Sequence, residues 1–414
     1  MSKFKISDFI DRIGDGIHGT PHYITNGDYF FINGNNLVDG QIVITSDTLM
    51  ISKEEYNKIK RPLNDNTILL SINGTLGKIA MYEGENVALG KSACYINVKN
   101  DKNKYFLKYI LSTKEFQKYI LLVAHGSTIK NLAPSQVADY EFDIPDGLEQ
   151  DKVAFLLKAL DDKIHNNNKI NSELESMIKM IYDYWFLQFE FPNEEGKPYK
   201  SSGGEMVWNE ELKREIPENW KNGTLEDVGE IVAGGTPSTE HPEYYCKNGI
   251  AWITPNDLSN LNDKYITHGE RDISEIGLTN SSAKLMPKGT VLLTSRAPIG
   301  YIGIAINAVC TNQGFKSIVP NKKFGSEFIY YTIQKMVAYL KSLGTGSTFT
   351  EISKNIVAQV KIVLPEESVV NKFEKITSEI SSQRRILEEE NRELNSLREF
   401  LLPLLMNGQV GFKD

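Results

Sequence analysis

The side chains that most often carry catalysis are scattered along this sequence of 414 residues. No GxSxG motif is present, and no cysteine has a histidine in the motif order of a cysteine nucleophile. The histidines form neither the HExxH nor the HxH spacing of a zinc or iron site. They are His18, His22, His125, His165, His241 and His268. The sequence therefore predicts no catalytic residue and no metal site in this chain.

The nearest approach to a phosphate-binding loop is GENVALGKS, from Gly84 to Ser92. Five residues separate its glycines, whereas the motif GxxxxGK[ST] has four. The segment also leads into a strand pattern, whereas a phosphate loop must open a helix whose N-terminus faces the anion. We therefore expect this chain to bind no nucleotide cofactor.

The remaining candidates are loops rich in small polar side chains. Asn and Gln suit adenine edges, Arg and Lys suit guanine, and Ser, Thr and backbone amides suit phosphates. The alternative for each residue is a turn that caps its own backbone. The candidate DNA-contacting residues in the first half are His18, Thr20, Asn33, Asn35, Asn36, Ser71, Asn73, Thr75, Lys78, Lys91, Ser127, Thr128 and Lys130. Those in the second half are Thr236, Ser238, Thr254, Asn256, Ser295, Arg296, Gln313, Ser347, Thr348 and Thr350.

Two long helices are expected to carry these loops. Starting at Val153 and moving along the chain by four and three residues in turn gives ten positions, of which eight are apolar. The same procedure from Phe373 also gives eight apolar residues in ten positions. This period is typical of helices that pack lengthwise, and each would be roughly 50 Å long at about 1.5 Å per residue. A polar pair in the seam can fix its register. The predicted seam residues are Leu157, Leu160, Ile164, Asn167, Asn171, Leu174, Ile178 and Ile181, and Ile376, Ile380, Leu387, Leu394, Leu397 and Leu401.

The two helices belong to a repeated unit. ILLSINGTLGKIAM in the first half aligns with VLLTSRAPIGYIGIA in the second at a shift of 223, and the shift changes by only three over 75 positions. An ordered series of matches of this kind indicates internal duplication. The matched residues include Leu70 with Leu293, Ser71 with Thr294, Gly77 with Gly300, Phe106 with Phe328, and Gly126 with Gly346.

The repeat predicts an α+β fold with two β-rich domains, each followed by a long helix, and the two seams predict that these helices lie along one another as a coiled coil. The predicted boundaries are 1–148 for the first domain, 149–190 for the central helix, and 191–216 for a polar, mobile connection. They continue with 217–366 for the second domain, 367–408 for the C-terminal helix and 409–414 for a tail.

Composition fits an ordinary globular protein, with 40% hydrophobic and 24% charged residues. There is no apolar run of eighteen residues and no signal peptide in MSKFKISDFI, so we expect a cytoplasmic chain with no membrane partner. Cys94, Cys246 and Cys310 are too far apart for a metal knuckle and are expected to be free thiols.

The net charge of −8 argues mildly against a nucleic-acid partner. Residues 1–150 contain 16 basic and 18 acidic residues, and residues 217–366 contain 14 of each. The two globular parts are therefore near neutral, and charge alone does not predict DNA binding.

Three stretches resemble the specificity subunits of type I restriction–modification enzymes. They are LDDKIHNNNKINSELESMIKMIYDYWF in the first helix, EIPENWKNGTLEDVGEIVAGGTPST at the start of the second copy, and ILLSINGTLGKIA in the first copy. The resemblance extends over nearly the whole chain through the order domain, helix, domain, helix. The first copy departs from the second, because it has GDGIHGTPHYITNG in place of VAGGTPSTEHPEYYCKNG and lacks WITPNDL.

The resemblance implies a non-catalytic subunit whose two target recognition domains each read one half of a split sequence in double-stranded DNA. It implies that the two helices pack as an antiparallel coiled-coil spacer. It also implies two DNA adenine methyltransferase subunits docked on the helices, together with restriction and translocase subunits. S-adenosylmethionine, ATP and magnesium would belong to those partners. Divergence between the two copies is expected where the half-sites differ.

Two other functions remain open from the sequence. A coiled-coil scaffold with two protein-binding domains would explain the neutral charge, but the duplicated loops lack the apolar patches of protein interfaces. An enzyme that fuses recognition to a nuclease or methyltransferase should show a cofactor glycine loop or a carboxylate cluster, and neither is present.

Overall fold

The computed structural model describes residues 1–126, 129–261, 264–345 and 350–412. The chain divides into two compact units. The first unit comprises Met1–Asn168 with Glu388–Asp414, and the second comprises Lys169–Leu387. Each unit therefore contains one globular part and a segment of both long helices.

The globular part of the first unit combines short strands with four helices among its described residues. The strands are β1 (Ser2–Lys5), β2 (Ile10–Asp15), β3 (Tyr23–Ile24), β4 (Tyr29–Ile32), β5 (Leu37–Val38), β6 (Gln41–Ile42), β7 (Met50–Ile51), β8 (Thr67–Ser71), β9 (Ile79–Met81), β10 (Val87–Leu89), β11 (Ala93–Val98) and β12 (Glu141–Ile144). The helices are α1 (Lys53–Ile59), α2 (Lys104–Ser112), α3 (Lys114–Val123) and α4 (Pro134–Ala138).

The central sheet of this unit has the strand order β2-β11-β8-β9, and all its neighbours are antiparallel. Every residue of β8 and β11 is buried, which explains why both segments are continuous apolar runs. A second sheet has the order β10-β4-β7-β3, with β10 parallel to β4. Strands β1 and β12 pair separately. The core lies between the central sheet and helices α2 and α3, where Phe106 and Phe116 are fully buried.

Helix α5 (Gln150–Tyr182) follows and continues as a π-helical turn, Asp183–Leu187. The second unit then contains β13 (Met206–Asn209), β14 (Arg214–Pro217), β15 (Lys221–Thr224), β16 (Gly229–Ala233), β17 (Tyr245–Cys246), β18 (Ile250–Ile253), β19 (Tyr265–Ile266), β20 (Arg271–Ile273), β21 (Val291–Ser295), β22 (Ile299–Ala305), β23 (Val309–Thr311), β24 (Lys316–Pro320) and β25 (Lys361–Leu364). Its helices are α6 (Leu225–Val228), α7 (Pro255–Ser259), α8 (Glu275–Thr279), α9 (Ser326–Ser342) and α10 (Lys354–Ala358). The last helix of the chain is α11 (Glu367–Met406).

The second unit repeats the topology of the first. Its central sheet has the order β16-β24-β21-β22, which matches β2-β11-β8-β9, and β19 is added at the edge. Its other four-stranded sheet, β23-β18-β20-β17, matches β10-β4-β7-β3, including the parallel pair. The pair β15 and β25 matches β1 and β12. The α+β fold with an internal repeat is confirmed.

The connection 191–216 is more structured than its polar composition predicts. Phe191 is 5% exposed and stacks against Tyr199 and Trp220, with ring centroids 4.6 and 4.9 Å apart. Strands β13 and β14 form an antiparallel hairpin within and just beyond this segment. The expectation of a mobile connection misses this packing, because its few aromatic residues are separated by Gly, Ser and Glu in the sequence.

Glu374 of α11 caps the N-terminus of α9. Its Oε1 atom accepts a hydrogen bond of 2.8 Å from the backbone N–H of Phe328. A Cβ atom at Gly325, the N-cap residue, would lie only 1.9 Å from Cδ of Glu374, so a larger residue there would displace the Glu374 side chain from the cap. Burial raises the pKa of Glu374 to about 7. The N–H of Phe328 and the charge of Lys264 act against this rise, and the charge of Glu327 adds to it.

This carboxyl group should make the stability of the second unit depend on pH. The folded-state pKa of about 7 lies above the ordinary value of 4.5, so the folded state holds the proton more tightly. Its contribution to stability is then full below about 4.5 and is lost as the pH rises through about 7. We expect Glu374→Gln to remove this loss, on the order of 3 kcal/mol between pH 4.5 and 8.

The measurement is urea unfolding by tryptophan fluorescence at several pH values, because Trp185, Trp208, Trp220 and Trp252 all lie in the second unit. Glu367→Gln, in the exposed first turn of the same helix, is the matched control. Parallel pH profiles for the wild type and Glu374→Gln would contradict the assignment.

Candidate nucleic-acid interface and the paired helices

The polar loops of the first unit converge on one end of its central sheet. Strand β11 is antiparallel to β2 and β8, with Cys94 opposite Asp15 and Ala93 opposite Ser71. The loops that follow β2 and β8 and the loop that precedes β11 therefore leave the sheet at the same end. Hydrogen bonds join them, since the N–H of Ile17 donates to the carbonyl of Leu89 (2.8 Å).

The second unit brings its polar loops together in the same way. Strands β16 and β21 end where β24 begins, with Ala233 opposite Lys316. The N–H of Gly235 donates to the carbonyl of Thr311 (2.9 Å), and the N–H of Asn312 donates to the carbonyl of Ile253 (3.0 Å). The loops that follow β16, β18, β21 and β23 thus form one surface. We call this end of each central sheet the loop end.

The turn at each loop end is built on the same backbone hydrogen bonds. In the first unit the N–H of Lys78 donates to Oγ of Ser71 (2.8 Å), and the N–H of Ile72 donates to the carbonyl of Ser92 (2.9 Å). Gly77 adopts φ of 83° in this turn. Residues with a side chain rarely adopt that conformation.

The second unit repeats these bonds at the positions that the shift of the repeat predicts. The N–H of Tyr301 donates to Oγ1 of Thr294 (2.9 Å), and the N–H of Ser295 donates to the carbonyl of Gly314 (2.7 Å). Gly300, the counterpart of Gly77, adopts φ of 100°. The two turns therefore share one scaffold and differ in the side chains that it carries.

Many candidate contact residues lie on these surfaces with accessible side chains. The exposed ones are His18, Thr20, Asn35, Thr75, Lys91, Lys130, Ser238, Asn256, Gln313 and Thr350. The half-buried ones are Asn33, Asn36, Asn73, Lys78, Thr236, Thr254 and Arg296. The candidates Ser127, Thr128, Ser347 and Thr348 lie outside the described residues. Whether any of these residues contacts DNA stays a prediction.

Two candidates are wrongly chosen as contact residues. Ser71 and Ser295 are both fully buried. The hydroxyl of Ser71 closes its turn, and the hydroxyl of Ser295 donates to the carbonyl of Gly314 (3.1 Å) and also contacts Nζ of Lys316 (3.3 Å). In the sequence, both residues stand at the end of a strand, where an exposed loop is expected to begin. In the structure, both hydroxyl groups instead form hydrogen bonds within the protein.

Three half-buried candidates also have local structural roles. Oδ1 of Asn36 accepts from the backbone N–H of Asn33 (2.9 Å), and Oδ1 of Asn33 accepts from the hydroxyl of Ser92 (2.9 Å). The hydroxyl of Thr254 donates to Asp257 in a capping box (2.6 Å). These bonds match the alternative interpretation of turn residues that cap their own backbone.

Asn131 and Glu351 lie at the loop ends. Neither is among the predicted contact residues, although Asn131 ends the polar segment 127–131 of the sequence. Asn131 forms a backbone bridge with Asn73, and Glu351 forms the equivalent bridge with Arg296. The shift of 220 for this part of the repeat relates Asn131 to Glu351, so the repeat contained the signal. Glu351 was not chosen because acidic side chains were not among the residue types considered for contacts with DNA.

No group of three or more His, Cys, Asp or Glu side chains among the described residues could hold a metal ion. In the same part of the chain, no helix combines the length and the apolar character needed to cross a bilayer.

The predicted seam of α5 lies against α11 along its length in each unit. Asn167, Asn171, Ile178 and Leu157 are buried, and the other predicted positions on this helix are half-buried: Leu160, Ile164, Leu174 and Ile181. The two helix segments are antiparallel within each unit, because contacts pair Asp161 with Arg398 and Asn167 with Asn391 in the first, and Glu175 with Arg384 in the second.

The seam of α11 differs from the prediction at its centre. The predicted residues Ile376, Ile380, Leu387, Leu394 and Leu401 are only half-buried, and Leu397 is 44% exposed. The buried positions are instead polar: Thr377, Ser381, Arg384 and Asn391. A count of apolar residues alone places the seam about one residue too close to the N-terminus, because polar side chains of α11 make the contacts with α5 at its centre.

Asn167 connects the two helices in the first unit. Its Nδ2 group donates to Oδ1 of Asn391 (2.9 Å) and to Oε2 of Glu390 (2.8 Å), and Nδ2 of Asn391 donates to Oδ1 of Asn168 (2.8 Å). A shift of either helix by one turn would break all three bonds. A polar contact of this kind is well suited to fixing the register of a helix pair.

A buried carboxylate fastens the first globular part to both helices. Asp161 of α5 accepts hydrogen bonds from the hydroxyl of Tyr109 (2.7 Å) and from Nη1 of Arg398 (2.7 Å), and it pairs with Lys108. Burial acts to raise the pKa of Asp161, but the charge of Lys108 and the hydrogen bonds from Lys108, Arg398 and Tyr109 outweigh it. The pKa is therefore below its ordinary value.

The second unit has the same arrangement around Glu175. Tyr331 donates to Oε1 of Glu175 (2.5 Å), and Nη1 of Arg384 donates to Oε2 (2.6 Å). Nζ of Lys264 lies 3.3 Å from Glu175 and 2.8 Å from Glu327. The two tyrosines are 222 residues apart, which is the shift of the repeat, and the two carboxylates are 14 residues apart (175 − 161), which is two heptads. We call each Tyr, carboxylate and Arg set a clamp.

Removal of one clamp carboxylate should destabilise the chain strongly. We expect Asp161→Ala to lower the free energy of unfolding by about 3 kcal/mol, because it leaves two cations without their counter-charge in a largely buried site. Urea unfolding by far-UV circular dichroism measures the change, since all four tryptophans lie in the other unit.

The neighbouring Asp162→Ala is the matched control, because Asp162 is 55% exposed and pairs only along the helix surface with Lys158. Its loss should cost less than about 0.5 kcal/mol. Equal effects of the two substitutions would show that the clamp adds nothing to an ordinary helix-surface pair.

Comparison with known proteins agrees with this architecture. A family model described as the type I restriction modification DNA specificity domain matches residues 1–176 and 217–395. The MjaIX specificity subunit of a type I restriction enzyme from Methanocaldococcus jannaschii is 38% identical over 212 residues, which cover 50% of this chain and 48% of that relative. The HindI specificity subunit from Haemophilus influenzae is 25% identical over 358 residues, or 74% of this chain and 77% of the relative.

A solved structure shows the same fold. The crystal structure of the S subunit of a type I restriction–modification system from M. genitalium aligns with 100% of this chain and 96% of its own, with a TM-score of 0.59 and 17% identity. This chain spans about half the length of the M. jannaschii relative and about three quarters of the H. influenzae relative. Since the family model covers both copies of the repeat, the chain belongs to the family of type I restriction–modification specificity subunits.

Proposed function

We propose that this chain reads a bipartite sequence in double-stranded DNA for a type I restriction–modification complex. Each loop end would read one half-site, and the paired helices would set the spacing between half-sites. The chain itself would be non-catalytic and cytoplasmic. Two adenine methyltransferase subunits and the restriction and translocase subunits would supply the chemistry, with S-adenosylmethionine, ATP and magnesium bound to them.

The observation that carries this proposal is the repeated scaffold with different side chains. The same turn bonds occur at Ser71 and Thr294, yet Asn73 on one scaffold is replaced by Arg296 on the other. A pair of enzyme sites would be expected to keep its reacting groups. A pair of sequence readers is expected to keep the backbone and to vary the side chains that meet base edges.

Apolar side chains on the long helices support the docking of partner subunits. Large apolar residues exposed on a helix are often part of a protein interface. On α5 and α11 they are Phe155 (76% exposed), Ile170 (42%), Met177 (46%), Met180 (64%), Ile386 (67%), Leu397 (44%) and Phe400 (64%). At the loop ends, exposed apolar residues such as Ile129 (62%) and Tyr301 (38%) stand among polar side chains. The longer apolar series favours the helices as the protein-binding surface.

Lengthening the helix pair should widen the gap between half-sites without changing the bases read. We would insert seven residues in α5 after Asn168 and seven in α11 after Leu387, where the two compact units divide. One heptad preserves the buried face and adds about 10 Å at 1.5 Å per residue, which corresponds to roughly three base pairs. Sequencing of methylated adenines in cells that express the complex measures the gap.

A matched control inserts seven residues after Glu195, an exposed residue of the connection, and should leave the gap unchanged. A methylated sequence with its original gap in the double-insertion variant would rule out the spacer role of the helices.

The isolated chain should bind DNA weakly. Its globular parts are near neutral in charge, and DNA affinity depends strongly on phosphate neutralisation by basic residues. We expect a dissociation constant weaker than micromolar at physiological salt, and much tighter binding when the methyltransferase subunits are added. Fluorescence anisotropy with a labelled duplex that carries the methylated sequence tests both. Nanomolar binding by the isolated chain would contradict this division of labour.

A further inference from the structure

Asn73 and Arg296 occupy the same place on the two repeated turns. We propose that they are specificity-determining residues, with Asn73 selecting adenine at one position of its half-site and Arg296 selecting guanine at the equivalent position of the other. This inference rests on the proposed function, because it names what the two loop ends recognise.

The backbone around Asn73 is held on both sides. The preceding residue Ile72 donates its N–H to the carbonyl of Ser92 (2.9 Å), and its own carbonyl accepts from the N–H of Leu132 (2.8 Å). The N–H of Gly74, the following residue, donates to the carbonyl of Lys130 (3.0 Å). The backbone of Asn73 is therefore fixed between β8 and the residues Lys130 and Leu132, while its side chain remains partly accessible.

Arg296 has the same support. The preceding residue Ser295 donates its N–H to the carbonyl of Gly314 (2.7 Å), and its carbonyl accepts from the N–H of Ile352 (3.0 Å). Arg296 bridges Glu351, as Asn73 bridges Asn131. Glu351 in turn exchanges two backbone hydrogen bonds with Thr345, of 3.0 and 3.1 Å, and Asn131 does the same with His125. The equivalence of the two positions thus extends to the bridged residues and to their own partners, His125 and Thr345.

The side chain across each bridge orients the proposed reader. Nδ2 of Asn73 donates to Oδ1 of Asn131 (3.2 Å). In the second unit Nη1 of Arg296 lies 3.7 Å from Oε2 of Glu351, and Oε1 of Glu351 accepts from Nζ of Lys316 (3.2 Å). Lys316 is largely buried, so it anchors Glu351, and Glu351 then directs the guanidinium group of Arg296, which is 34% exposed.

The chemistry of the two side chains assigns the bases. A guanidinium fork presents parallel N–H donors that match O6 and N7 of guanine in the major groove. An amide presents one donor and one acceptor, which match N7 and N6 of adenine. Because equivalent hydrogen bonds hold the two residues, the exchange of Asn for Arg changes the base that this position accepts.

The test uses the full chain assembled with its methyltransferase subunits in cells, and the readout is the set of methylated genomic sequences. Arg296→Ala should relax one guanine of one half-site and lower discrimination there by about 5- to 100-fold, the range of one bidentate contact. Arg296→Gln should shift the preference at that position from guanine toward adenine. Asn73→Arg combined with Asn131→Glu should shift the other half-site from adenine toward guanine.

Two substitutions serve as matched controls. Lys322→Ala removes an exposed basic residue just beyond the opposite end of β24, and Asn57→Ala removes an exposed amide on α1. Both should leave the methylated sequence unchanged. A shift in base preference cannot arise from misfolding, so Arg296→Gln separates recognition from stability.

The outcomes distinguish this inference from the proposed function. A bipartite methylated sequence that stays identical in Arg296→Ala, Arg296→Gln and the double substitution overturns the inference and leaves the proposed function standing. Absence of any bipartite sequence for the wild-type complex overturns both. A change confined to one position of the expected half-site in each variant supports the assignment of that residue.

Discussion

The antiparallel packing of α5 and α11 is the constraint on which the rest of the structure depends. Apolar seams tolerate displacement by a heptad, because leucine and isoleucine contacts are nearly interchangeable. The buried hydrogen bonds of Asn167 and the ion pairs of Arg384 and Arg398 form only in one alignment. Buried polar contacts add little net stability, yet their loss is costly once the groups are desolvated. The polar centre therefore determines the register, and the flanking apolar residues supply most of the burial.

The clamps couple the alignment of the two helices to the orientation of each globular part within its unit. In each unit a tyrosine from the domain helix, a carboxylate from α5 and an arginine from α11 share one hydrogen-bonded site. A globular part attached through one covalent connection could rotate about it. The clamp attaches the globular part to both helices as well and restrains that rotation. The orientation of a loop end therefore follows from the register of the helices within its unit.

The sequence predicted the features that depend on local pattern and repetition. Both long helices follow from their apolar periodicity, and the repeat follows from an ordered series of matched residues. Strand order could not be predicted, because β10 and β4 pair residues that are 57 positions apart (87 − 30) with no local signal. The seam of α11 was displaced because Thr377 and Arg384 do not count as seam residues in an apolar pattern. Ser71 and Ser295 were misjudged because hydrogen bonds within the turn are visible only in three dimensions.

Near-neutral globular parts fit the proposed function, in which contacts with base edges supply the selectivity. Phosphate contacts raise affinity for all sequences equally and carry no sequence information. A strongly basic chain would occupy random DNA before assembly, whereas a chain with 14 basic and 14 acidic residues in its second globular part adds little of this background. If partner subunits supply phosphate contacts, tight binding requires both the complete complex and the correct bases. In the proposed function, the near-neutral globular parts then contribute to selectivity by withholding affinity from the isolated subunit.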